Sequence, residues 1–133
     1  MSSRSFLVLL FGCCQILNPA HADWILLTES ERTQVFVEYK DALRGEDPTK
    51  IEYLLNFIEP QRIKDLVFSA ITEVEFDCER GLMRNLSMAN YSEPMGQGVV
   101  LFKSKRPTSW RRAPRAGMPE DIWNFVCEKP PEL

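Results

Sequence analysis

Histidine is all but missing from this sequence. The only one, His21, lies within a 22-residue N-terminal segment that also holds Arg4, Cys13 and Cys14 but no acid. If that segment is removed on export, the remaining 111 of the 133 residues contain no imidazole, which excludes a Ser-His-Asp triad, a Cys-His dyad and a histidine-ligated metal. Long apolar runs are also scarce. The one candidate, Phe6 to Leu17, is 12 residues long, whereas a permanent membrane-spanning helix needs about 20. Cysteine is limited to four residues in all, and there is no internal repeat, low-complexity tract or domain linker. Without the segment, 15 basic side chains face 19 acidic ones, so the net charge gives no general attraction to nucleic acid. A chain of this size is expected to form one domain.

The first 22 residues are organised as a secretory signal. Arg4 forms a short basic region, the apolar run follows, and Asn18-Pro19-Ala20-His21-Ala22 ends in the small-x-small pattern that a signal peptidase accepts. The expected division is a signal peptide over 1–22 and a working domain over 23–133, placing the protein outside the cytosol. Leu10-Phe11-Gly12-Cys13 offers a rival route, lipid anchoring at Cys13, which bulky Phe11 fits badly. After cleavage Cys78 and Cys127 remain. An even count in an exported chain favours one disulfide between them, against the alternatives of two free thiols or a thiolate metal site.

From Trp24 onward apolar residues mostly recur with period two, punctuated by Gly, Pro, Asp and Asn, which predicts short antiparallel strands. The candidates are Trp24 to Thr28, Thr33 to Tyr39, Lys50 to Ile58, Leu66 to Cys78, Leu82 to Tyr91 and Gly98 to Ser104. In the fourth, Phe68, Ala70, Thr72, Val74, Phe76 and Cys78 share one face. Glu73, Glu75 and Asp77 share the other, which predicts a dry side and a wet side. The third reads equally as a short helix, bracketed by turns at Gly45-Glu46-Asp47-Pro48 and Glu59-Pro60. Near the end, Pro119, Glu120 and Asp121 suit a helix N-terminus. Ile122 with Val126, and Trp123 with Cys127, then make an i, i+4 stripe, and Pro130-Pro131 stops the helix. The expected fold is α+β: a single antiparallel sheet of about six strands packed against a C-terminal helix, with Cys127 tethering that helix to the strand ending at Cys78.

Several motifs in this order resemble the surface-adhesin protein E-like family of small exported Gram-negative proteins. They are Trp24, Val35-Phe36-Val37-Glu38, Glu75-Phe76-Asp77-Cys78, Asn90-Tyr91-Ser92, Gly96-Gln97-Gly98, Trp110 and Cys127. Glu38 departs from the expected aspartate, and Ala116-Gly117-Met118-Pro119 from a more usual Pro-Gly-Ser-like lead into the helix. The resemblance implies an antiparallel sheet with a disulfide-tethered helix, export and, for the name-giving members, adhesion to host matrix glycoproteins.

The most suggestive local feature is a run of Lys103, Lys105, Arg106, Arg111, Arg112 and Arg115, six cations in thirteen residues with no acid among them and Trp110 in their midst. On an acidic chain such a run attracts sulfated glycans, phosphates or acidic protein surfaces, with guanidinium forks and indole stacking for recognition. The competing reading pairs these cations with the domain's own Glu73, Glu75, Asp77 or Glu120. The carboxylate row Glu73, Glu75, Asp77 and Glu79 superficially fits glycosidase chemistry, but any solvated strand face has the same pattern. Two sequons, at Asn85 and Asn90, carry no weight in a bacterial host. Trp24, Phe68, Phe76 and Trp123 read as core in preference to a ligand pocket.

The leading expectation is therefore a non-enzymatic, adhesin-like binding protein, without cofactor, catalytic residue or metal. It would hold a host matrix glycoprotein or anionic glycan through the basic run. The runner-up is a periplasmic accessory protein that binds another envelope protein. Open sheet edges also allow a homodimer.

Overall fold

A computed structural model describes residues 23–38 and 49–128. The 1–22 segment, the turn at 45–48 and Pro130-Pro131 lie outside the described residues. Seven strands form one antiparallel sheet: β1 (Trp24–Glu29), β2 (Thr33–Glu38), β3 (Thr49–Arg62), β4 (Leu66–Asp77), β5 (Leu82–Tyr91), β6 (Val100–Ser104) and β7 (Arg111–Arg112). The first six lie side by side in chain order, and β7 pairs with β5 beyond the end of β6. One helix, α1 (Met118–Cys127), follows.

Period two sets one face. Val35 and Val37 on β2, Ile51 on β3, Val74 and Phe76 on β4 and Met83 on β5 form a buried cluster with Ile122 and Trp123 of α1. Trp123 meets Phe76 edge-on, with ring centroids 5.7 Å apart. The expected stripe is present, Ile122 and Trp123 being buried and Val126 and Cys127 packed half-buried beside them. Pro119 sits in the first turn with Glu120 and Asp121, and the helix is fastened by the Cys78–Cys127 disulfide. The α+β architecture and the tether are thus as the sequence led us to expect.

The other face is covered too, which was not foreseen. The loop after β5 makes a single 3-10 turn at Pro94–Gly96 and lies on Leu54 and Ile71, the closest side chains to Gly96. Buried Ser69 donates its hydroxyl to the Glu93 carbonyl (2.7 Å) and accepts from the Gly96 N–H (2.9 Å), while Asn56 Oδ1 accepts from the Met95 N–H (2.9 Å). Gly96 and Gly98 have φ of 70° and 80°, a left-handed geometry that glycine adopts without steric cost. The Val99 N–H closes the loop onto Ser92 Oγ at 2.7 Å. The Gly96-Gln97-Gly98 motif is therefore part of this covering, and Asn90-Tyr91-Ser92 leads from the end of β5 into it.

This covering alters two strand readings. β3 is a strand, but both faces of its middle are covered, which is why its apolar residues did not alternate. It also runs on through Pro60 to Arg62, because the pairing with β4 shifts register between Asn56 and Gln61, where a missing N–H is tolerated. The supposedly wet side of β4 is not uniformly wet: Glu75 is buried at 5% exposure. Register explains this, since Glu75 faces Arg84 across the β4–β5 ladder and accepts from its guanidinium at 2.8 Å.

Candidate functional site

The basic run follows the outer side of β5 from end to end. Lys103 stands opposite Ala89 and Ser104 opposite Met88. Past Pro107 the chain is pinned at mid-strand, where the Thr108 N–H donates to the Asn85 carbonyl (2.9 Å) and Thr108 Oγ1 accepts from the Asn85 N–H (3.0 Å). Arg111 then pairs with Met83 and Arg112 with Leu82, and the Ala113 N–H donates to the Gly81 carbonyl at 3.0 Å. Ala89 and Met83 are six residues apart, so Lys103 and Arg111 are separated by about 20 Å along the strand. The cations form an extended row along the sheet margin, longer than a pocket for one small anion.

All six cations are exposed. Among the described residues, ion pairs within 4.0 Å join Arg32 to Glu59, Arg80 to Asp77 and Arg84 to Glu75; none involves the basic run. The internal-pairing alternative is therefore not what the described residues do. Arg115 instead lies 5.9 Å from the centroid of Trp123, and Arg111 lies near the Tyr53 phenol. Burial raises the Tyr53 pKa above its ordinary value of 10.0, and the Thr72 hydrogen bond and the Arg111 charge draw it partly back.

Trp110, 38% exposed within the row, also has a partner inside the fold. The Arg84 guanidinium lies over its ring at 4.6 Å, making a stack Trp110–Arg84–Glu75 that ties the row to β4. Sequence reasoning missed Arg84, because only strand register places it between Glu75 and Trp110. Two members of the carboxylate row have structural partners: Glu75 pairs with Arg84, and Asp77 accepts from the Arg80 N–H at 3.1 Å in the β4–β5 turn. No group of three or more His, Cys, Asp or Glu among the described residues is placed to hold a metal. Asn85 and Asn90 are half-buried within β5, their backbones paired in the sheet. Phe76 and Trp123 are core, while Trp24 and Phe68 are half-buried on separate strands.

Beside the row lies a feature with no sequence signal. The helix packs over the sheet as far as Met83 at one end of β5, while neither β6 nor the Met88–Tyr91 end of β5 joins the core cluster beneath it. There a groove of about 290 Å³ runs between the β3–β4 turn and the last two long strands. Among the described residues no helix is long and apolar enough to cross a membrane.

Compared with known proteins, the chain has no match among curated proteins or solved structures. A family match covers residues 24–128, from the first residue of β1 to just past the end of α1, and takes in the disulfide, the covering loop and the basic row. On that match the chain belongs to the surface-adhesin protein E family.

Proposed function

We propose that this protein is an exported, non-enzymatic surface adhesin that holds an anionic partner, a host matrix glycoprotein or an acidic glycan, along the row from Lys103 to Arg115. Family membership supports the adhesin role. The observation that carries the site is the row itself: six exposed cations strung along one sheet margin, unpaired with any described carboxylate. Charges so arranged steer and hold an extended polyanion, and the interaction weakens as salt rises. Arginine forks fit sulfate and carboxylate. The same proposal takes residues 1–22 as a signal peptide cleaved after Ala22 and residues 23–133 as the working domain.

The test is binding of the disulfide-bonded protein to immobilised heparin and to matrix glycoproteins over a salt series. Arg111→Glu with Arg112→Glu should abolish binding without changing the unfolding midpoint. Unchanged binding removes the site. A second reading, an accessory protein that docks on another envelope protein, is favoured by the outer edge of β6, which pairs with no strand among the described residues. Proteolysis of intact cells separates the two, since an adhesin is cut from outside and a periplasmic partner is protected.

A further inference from the structure

The groove beside β6 belongs to neither the core nor the row of cations. Its apolar wall comprises Ile63, Val67, Met88, Leu101 and Phe102. Val67 forms its buried floor and Leu101 is half-buried, while Ile63 at 73%, Phe102 at 50% and Met88 at 37% exposure open the wall to solvent. A bulge helps to build it. Phe102 pairs with Asn90 and Val100 with Tyr91, which leaves Leu101 as an extra residue, and such a residue re-aims its side chain. Consecutive Leu101 and Phe102 thereby reach one groove.

Two further observations converge on the same place. Among the described residues no strand pairs with the outer edge of β6, so backbone N–H and C=O groups point outward there. That edge also carries exposed Lys103 and continues into exposed Lys105 and Arg106. An open backbone edge, an apolar slot and a line of cations thus lie side by side.

We propose that β6 accepts an acidic, extended segment of a partner protein as an added strand, with an apolar side chain in the groove and carboxylates against Lys103, Lys105 and Arg106. The proposal rests on the cationic-row reading above and specifies its partner as a peptide. Strand addition takes affinity from main-chain hydrogen bonds and specificity from alternate side chains, which matches an edge with a slot on one side and charge on the other. A sulfated glycan satisfies the charge, but it has neither a peptide ladder for the edge nor an apolar side chain for the slot. A second copy of this chain brings the same cations to the same edge, and like charges across a strand pair oppose pairing.

The experiment uses the disulfide-bonded protein and two probes, a fluorescent ten-residue peptide alternating Glu with Thr or Val around a central Phe, and a heparin oligosaccharide. Fluorescence anisotropy should show the peptide binding. Phe102→Ser should weaken it at least tenfold while leaving heparin affinity unchanged; Phe102 is half exposed on an edge, and circular dichroism checks the fold. At least one of two versions of the peptide, N-methylated on alternate residues in the two phases, should lose tenfold or more. Lys103→Glu should weaken both probes. Heparin binding with no peptide binding overturns strand addition and leaves the cationic row standing, as does peptide binding that ignores both Phe102→Ser and N-methylation. If neither probe binds, or if Lys103→Glu together with Arg111→Glu and Arg112→Glu changes nothing, the cationic-row reading falls and this proposal with it.

Discussion

Breaking the tether between Cys78 and Cys127 should remove a large share of the domain's stability. The two cysteines are 49 positions apart. Closing a loop of about 50 residues lowers the entropy of the unfolded chain by an amount worth roughly 4 kcal/mol in the chain-entropy model, an upper value where the reduced chain keeps residual structure. A single domain has about 5 to 15 kcal/mol in total. The helix has little with which to compensate. At 10 residues it is too short to persist alone in water, and its buried anchors are Ile122 and Trp123. The edge-to-face meeting of Trp123 with Phe76 adds only about 1 kcal/mol beyond area burial. The double variant Cys78→Ser, Cys127→Ser should therefore lose about 3–4 kcal/mol in urea unfolding followed by tryptophan fluorescence and far-ultraviolet circular dichroism. With a denaturant slope of about 1.5 kcal/mol per molar, the midpoint falls by about 2–3 M. A loss below about 1 kcal/mol would refute the reasoning, because the helix–sheet interface would then suffice alone. Alkylation of both thiols in the exported protein before reduction would refute it equally.

Other perturbations probe the remaining parts. Arg84→Ala leaves buried Glu75 without its partner and Trp110 without its stack, and should cost about 2–3 kcal/mol in thermal unfolding; a cost near zero would show that the pair is dispensable. Gly98→Ala combines a left-handed φ with a side chain driven into Ser92 and Glu93, and should cost about 2 kcal/mol or more, whereas Gly81→Ala, with open space around it, should cost about 1 kcal/mol. Tyr53 has its folded pKa raised above 10.0, so the stability it confers as a neutral phenol is complete below pH 10 and is lost as pH climbs through the folded value. Absorbance titration at alkaline pH should show a late phenol that Tyr53→Phe removes and Arg111→Ala moves later still; ionisation of Tyr53 at or below 10.0 would contradict this.

Much of the fold was legible because period-two patterning survives wherever a strand has one buried face, as in β2 and β4, and because the helix announces itself through Pro119 and its i, i+4 stripe. The failures share a cause. The Leu54-Leu55 run in β3 looked helical because a loop forty residues later covers Leu54 on the second face, a long-range fact that no window contains, while Ile58 farther along is apolar yet 54% exposed. Glu75 read as solvated because its partner Arg84 is identified only by register. β7 is two arginines with no pattern at all, held by the backbone of Leu82 and Met83. The basic run was visible as composition, but its spread along a margin, the contact of Trp110 with Arg84 and the neighbouring groove needed the sheet.

Both lids of the sheet come from the last third of the chain: the 92–99 loop on one face and α1 on the other. An emerging polypeptide thus completes β1 to β5 while Leu54, Ile71, Val74 and Phe76 still lack cover. Nascent material halted at Tyr91 would be a sticky two-sided ribbon prone to aggregate, so this adhesin's passage to its destination depends on keeping the unfinished layer apart from its neighbours until the final forty residues arrive.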